Sequence, residues 1–190
     1  GKNLTFSIFL KPNIPVKNQF LLSKVVSLGI FDFLIDLGVL DVQIKWPNDI
    51  YIENRKVAGI LIENVLKSNK VFCAVIGVGL NVNQFNFNSG NNPTSILNEL
   101  GTEQDLKGML NQLLFFIEKR YIALKQGDEK MIDINYLTNL LGINKVLTFK
   151  VGVEILKGEI KGVNSIGKLQ VLIENELKEF DLKEIMFLIN

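Results

Sequence analysis

The chain has 190 residues, 47% of them hydrophobic, with a mean hydropathy of +0.24 and 21 Lys and Arg against 20 Asp and Glu, a net charge of +1. Such a balance predicts one good-sized folded domain or a domain plus a small module, and it leaves no electrostatic footprint for nucleic acid or an anionic membrane surface. The lack of histidine removes Ser-His-Asp catalysis and imidazole metal sites, and a single cysteine excludes an internal disulfide, so chemistry falls to Lys, Asp, Asn and backbone amides.

In chain order, the β-branched and aromatic stretch at 4–10 predicts a strand, ended by Lys11-Pro12-Asn13. Apolar residues at helical spacing from 16 to 38 predict a helix, with Gly38 as its stop. Strands are predicted at 42–46, 49–53, 56–65 and 70–82, then an Asn-rich loop at 85–93 and helices at 105–126 and 129–141. From 145 onward the texture changes to short strands (LTFKV, EILKGEIKGV, LQVLIEN, LKEF, IMFLI) separated by small turns, the pattern of a small β-barrel. The whole reads as α+β: a mixed sheet with helices over 1–142, followed by a compact all-β module over 143–190. No apolar run approaches about 18 residues and no signal-peptide pattern is seen, so neither a membrane span nor export is expected. Cys73, inside VFCAVIGVG, reads as a core thiol in a reducing, cytoplasmic setting. The start, GKNLTFSIFLKP, lacks an initiator Met and enters almost directly into a strand, which suggests an incomplete N-terminus.

Two constellations carry candidate chemistry. In KWPNDIYIENRKVAGIL (45–61), a two-residue turn at Asn54-Arg55 would set Glu53 against Lys56, Tyr51 against Ala58 and Asp49 against Ile60. Asp49 and Lys56 would then share a face but stand roughly 13 Å apart at 3.3 Å per residue, too far to pair and suited to different ends of an extended ligand. On spacing alone Lys56 is as readily a solvated partner of Glu53, Trp46 a core residue and Asn48-Asp49 an ordinary turn pair. In the second constellation, at 76–83, Val78, Leu80 and Val82 point one way while Gly77, Gly79, Asn81 and Asn83 point the other. One face is thus bare backbone leading to amides, either a floor for a flat ring or a seat for a tightly packed helix.

KWPND (45–49), RKVAGIL (55–61) and GVGLNVN (77–83), in this order and at these spacings, resemble biotin protein ligase, and GKNLTFSIFLKP resembles the segment preceding them in that family. The resemblance implies a catalytic core like that of class II aminoacyl-tRNA synthetases and a small SH3-like C-terminal domain. It implies a ligase that uses Mg2+ and ATP to convert biotin to biotinyl-5′-AMP and then transfers biotin to a lysine of a biotin carboxyl carrier protein. Lys56 and Asp49 would be the catalytic residues, with Lys56 reaching the biotin carboxylate and α-phosphate and Asp49 orienting or deprotonating the incoming amine. Gly59, Gly77 and Gly79 would line the biotin and adenylate pocket, Asn81 and Asn48 would hydrogen-bond the nucleotide side, and Trp46 would support the wall; no residue stands out as a metal ligand. The family's Gly- and Arg-rich loop is absent upstream, where the chain has only Arg55 and Arg120 as arginines, so part of the catalytic domain is expected to be missing. Alternatives are a non-catalytic module binding biotin or biotinyl-AMP, or a lipoate or octanoyl transferase on a related core. Exposed strand edges would allow a homodimer.

Overall fold

A computed structural model describes residues 1–88 and 92–188; residues 89–91 of the Asn-rich loop and 189–190, the end of the last expected strand, lie outside the described residues. The chain opens with β1 (Leu4–Leu10), whose Leu4, Phe6, Ile8 and Leu10 are covered while Thr5, Ser7 and Phe9 are exposed. A two-residue strand β2 (Ile14–Pro15) and a 3-10 turn lead into α1 (Phe20–Asp36), which ends at Gly38 with φ +84°. Four strands follow: β3 (Val42–Lys45), β4 (Asp49–Ile52), β5 (Arg55–Lys67) and β6 (Lys70–Leu80). They form a sheet in the order β1-β6-β5-β4-β3, with β2 beside β6.

The expected mixed sheet is antiparallel instead. Every ladder between named strands pairs antiparallel, and parallel pairing among the described residues is confined to isolated bridges. The reason is connectivity: β3 to β6 follow one another through tight turns, which join only antiparallel neighbours.

The face of this sheet made by Ile44, Ile50, Ala58, Ile60, Ile76, Val78 and Leu80 is buried. Against it lies α1, backed by α3 (Leu106–Lys125) and α4 (Glu129–Thr138). Because α1 is covered on both sides it is apolar almost all round, and Leu22, Val25, Val26, Leu28, Ile30, Phe33 and Leu34 have no solvent exposure. Burial of each contributes on the order of 1.5–3 kcal/mol. By length and composition alone Val16–Asp36 would also pass for a membrane span, contrary to the reading of the sequence; here it is the central helix of the core. At Gly29 the α3 backbone comes so close that a Cβ would stand 2.7 Å from the Ile117 Cα.

A short helix, α2 (Ile96–Leu100), was not anticipated. Its signals are local: the Ser95 hydroxyl accepts from the Asn98 N–H, and Gly101 closes it at φ +72°. Helix α4 stops three residues before its expected end because residues 139–141 instead pair with β3, through Ile44 N–H to Asn139 O at 2.9 Å and Leu141 N–H to Ile44 O at 2.8 Å. That segment covers part of the β3 edge and delivers the chain to a second antiparallel sheet. Its strands are β7 (Val146–Val151), β8 (Glu154–Val163), β9 (Leu169–Ile173), β10 (Glu176–Phe180) and β11 (Ile185–Phe187), in the order β10-β9-β8-β7-β11.

Candidate functional site

Three of the candidate residues, Asp49, Gly59 and Gly79, fall on one row running across the whole first sheet. Lys45 pairs with Asp49, Asp49 with Gly59, Gly59 with Gly79, and Gly79 with Thr5. Directly paired residues share a face, so this row lies opposite the helices. Its centre is two glycines. A Cβ at Gly79 would meet nothing within 4 Å, and Gly77, one step along on the same face, is nearly as open. Here the bare backbone is a floor rather than a seat for a helix. Above it runs a groove of about 350 Å³ lined by Thr5, Ser7, Asn48, Asp49, Lys56, Gly59, Leu61, Gly77 and Gly79 among others. A smaller recess of about 240 Å³ continues from it past Lys56 and Gly79 to Asn81 and Pro93. The groove is of a size with the low end of small-molecule sites, and the recess extends it.

The hairpin register differs from expectation in two ways. The turn is at Glu53-Asn54, so Ile52 pairs with Arg55, and a bulge between Ile50 and Tyr51 lets Tyr51 oppose Lys56 while Ile50 opposes Ala58. Glu53 sits at φ +55°, which lets the chain turn one residue early. The bulge is pinned by the returning arm of the Asn-rich loop, where Lys56 N–H donates to Asn92 O at 3.0 Å and Thr94 N–H to Lys56 O at 2.9 Å, and by the end of β6, where Asn81 N–H donates to Val57 O at 2.9 Å. Asp49 and Lys56 still share a face, but the ladder separation shrinks from four residues to about two, roughly 7 Å of strand. A lysine side chain spans that distance. Lys56 Nζ stands 2.6 Å from Asp49 Oδ1, in place of the 13 Å separation expected and of the pairing with Glu53. The pair lies over Gly59, where a Cβ would come within 3.2 Å of Lys56 Nζ and 3.3 Å of Asp49 Oδ1. Both side chains are partly exposed, 33% for Lys56 and 21% for Asp49, so they face the groove without being sealed in it.

Other candidates take different places. Trp46 does not line the groove; it is 4% exposed, and its indole N–H donates at 2.8 Å to Gly167 O, in the turn between β8 and β9. It is a joint between the two sheets, because the strand leaving Lys45 points alternate residues to opposite faces. Asn48 lines the groove, yet its amide donates to the Ile60 carbonyl, and Asn81 donates to the Thr94 carbonyl at 2.9 Å. One N–H of each amide thus shapes the walls. Arg55 pairs with Glu53 and Glu99, and Arg120 holds Asp32 through two contacts that tie α3 to α1, so neither arginine serves the groove. Thr5 and Ser7 escaped the reading of the sequence, although the polar–apolar alternation of LTFSIFL marks them as the open face of β1.

Lys45, at the β3 end of the row, was likewise unassigned. Its ammonium lies 4.8 Å from the Tyr51 ring centroid and 5.4 Å from that of Phe187, and donates to the Tyr51 hydroxyl at 3.3 Å. Burial holds it below the usual lysine range, Asp49 partly opposing and Lys56 adding to the shift. Burial, then the Asp49 charge, pushes the Tyr51 phenol up, while Lys56 pulls the other way.

Residues 1–81, which hold the glycine-floored groove and the lysine–aspartate pair above it, match the biotin/lipoate A/B protein ligase family. The chain is similar to biotin protein ligases along most of its length. It is 26% identical over 183 residues to the bifunctional ligase/repressor BirA of Bacillus subtilis, covering 94% of this chain and 56% of that protein. It is 32% identical over 171 residues to the chloroplastic biotin–protein ligase 1 of Arabidopsis thaliana, covering 78% of this chain and 43% of that protein. The chain therefore spans about half the length of the curated relatives it matches. Among solved structures, the biotin protein ligase of Aquifex aeolicus in complex with biotin and ATP superposes with a TM-score of 0.78 at 25% identity, covering 98% of this chain and 78% of that one. Its uncomplexed form superposes at 0.79.

Proposed function

We propose that this chain carries the adenylate-forming groove of a biotin–protein ligase, which activates biotin with ATP and transfers it to a lysine of a biotin carboxyl carrier protein. The observation that carries this reading is the Lys56–Asp49 pair at 2.6 Å over the glycine floor. A flat bicyclic ring would lie on Gly59, Gly77 and Gly79, with Thr5 and Ser7 at its edge. A biotin carboxylate oxygen attacks the α-phosphorus of ATP, the bond to the bridging oxygen breaks, and pyrophosphate leaves. The Lys56 ammonium, a mobile point charge, follows the negative charge as it gathers on the phosphate oxygens. In the second step the acceptor amine attacks the acyl carbon, AMP departs, and Asp49 accepts the proton lost by the amine.

Asp49 is the one carboxylate lining the groove, and no cluster of three acidic, His or Cys residues occurs among the described residues. Magnesium brought in with ATP would accordingly be held mainly by phosphate oxygens, with Asp49 as the protein's donor. The architecture we assign is the class II aminoacyl-tRNA synthetase-like core over 1–142 and an SH3-like barrel over 143–190; the antiparallel sheet backed by helices and the separate five-stranded sheet support it. We also place the protein in the cytoplasm, on its lone Cys73, and assign it homodimerisation through the open edge of β1. The test uses the full-length gene product with ATP, biotin and an apo carrier domain. Covalent biotin on the carrier, lost in Lys56→Ala, is the expected result. Biotin binding without AMP formation would overturn the ligase assignment, and undiminished labelling by Lys56→Ala would overturn the role of that residue.

A further inference from the structure

We propose that the second sheet is a positioning element for the Asp49–Lys56 pair, acting through an aromatic box in which Phe187 and Tyr51 hold the ammonium of Lys45 away from Asp49. This builds on the adenylate-forming reading above.

Two lysines compete for one carboxylate. Lys45 stands directly across the β3–β4 ladder from Asp49, and Lys56 reaches it diagonally from β5. Tyr51, two residues along β4 from Asp49, lies opposite Lys56 and contacts Lys45, so the four side chains form one cluster. Directly opposed residues of opposite charge ordinarily pair, yet the short contact of Asp49 is with Lys56. What engages Lys45 instead is a pair of ring faces, Tyr51 at 4.8 Å and Phe187 at 5.4 Å, plus the Tyr51 hydroxyl. A lysine over an aromatic face in a partly desolvated site is held more firmly than one on an open surface. One wall of the box belongs to the first sheet and the other to β11. The position of the second sheet thereby decides which lysine Asp49 holds. Trp46, the neighbour of Lys45, fixes that position through its hydrogen bond to Gly167.

Removing the Phe187 ring frees Lys45 to take Asp49, which loosens Lys56. In the full-length protein, Phe187→Ala is expected to lower kcat for biotinyl-AMP formation roughly tenfold, with KM for biotin little changed. Phe187 also packs edge-to-face on Phe149 at 5.1 Å, so Phe187→Leu, which keeps apolar bulk without a ring face, is the companion variant and should behave alike. Phe187→Tyr, which keeps the face, should retain the wild-type rate. The decisive variant is Lys45→Met combined with Phe187→Leu: deleting the competing cation should restore most of the lost rate, which no merely structural role of Phe187 would produce. Lysine Nζ titration by NMR, with Lys45 assigned through Lys45→Arg, supplies a readout independent of activity; the Lys45 signal should titrate at higher pH in Phe187→Leu than in wild type. An unshifted titration together with a full rate in Phe187→Leu, or no recovery in the double variant, would overturn the box. A wild-type protein that forms no biotinyl-AMP would instead sink the ligase reading, while the titration still judges the box.

Discussion

The two faces of the first sheet come from the same strands by simple alternation, yet they are packed by opposite rules. On the helix face Val78 and Leu80 are all but sealed, and at Gly29 the helices above approach until backbone meets backbone. On the groove face the intervening residues are Gly77 and Gly79, and a Cβ at Gly79 would meet nothing within 4 Å. Glycine is used on the first side because there is no room, and on the second to leave room. A strand can bury one face for stability and strip the other for a ligand, since a side-chain period of two decouples them.

If that division holds, changes on the groove face should cost activity without stability, and changes on the helix side the reverse. The largest effect is expected for Lys56→Ala, which should reduce biotinyl-AMP formation by roughly 10²–10³-fold, as loss of a transition-state donor does elsewhere, with an unchanged melting temperature. A parallel fall in Tm would break the comparison. Next comes Gly29→Val: with Ile117 Cα 2.7 Å from the new Cβ, overpacking should cost about 1–3 kcal/mol and lower Tm by roughly 2–4 °C per kcal/mol, while activity per folded molecule persists. Gly79→Ala adds a side chain to a glycine on the other face. Its methyl enters open space, so stability should hold or rise by up to about 1 kcal/mol, whereas biotin affinity measured by calorimetry should drop roughly tenfold.

The smallest effect concerns Tyr136, fully buried beneath Phe20, whose hydroxyl finds no hydrogen-bond partner. Tyr136→Phe should raise stability by about 1 kcal/mol at neutral pH, because an unmet polar group is removed. Burial pushes the Tyr136 phenol above its ordinary value, so the folded state keeps a proton that the unfolded chain releases from about pH 10 upward. Stability should therefore fall as pH rises past about 10, and urea titrations should find that part of the fall gone in Tyr136→Phe.

Much of this was legible before any coordinates. The alternation at 76–83 put Val78 and Leu80 on one face and Gly77 and Gly79 on the other, without deciding which face met the helices, and Gly38 marked the end of α1, because both depend on local period and backbone freedom. The meeting of Lys56 with Asp49 was not legible. It depends on a turn at Glu53-Asn54 and on a bulge held by Asn92 and Thr94, residues far away in the chain. The hydrogen bond of Trp46 was hidden for a related reason: its partner is the Gly167 carbonyl, 121 residues away in the turn between β8 and β9.

What the sequence by itself determined is the order of elements, the α+β class, and a polar hairpin followed by a glycine-floored strand in the pattern of a known family. Those follow from side-chain period, turn chemistry and motif spacing, all of which are local. Only the tertiary structure decided which charges meet: Asp49 with Lys56, Lys45 between Tyr51 and Phe187, Arg120 with Asp32. A contact between side chains turns on a one-residue shift of register or on the docking of a second sheet, and neither is written in the residues that make the contact.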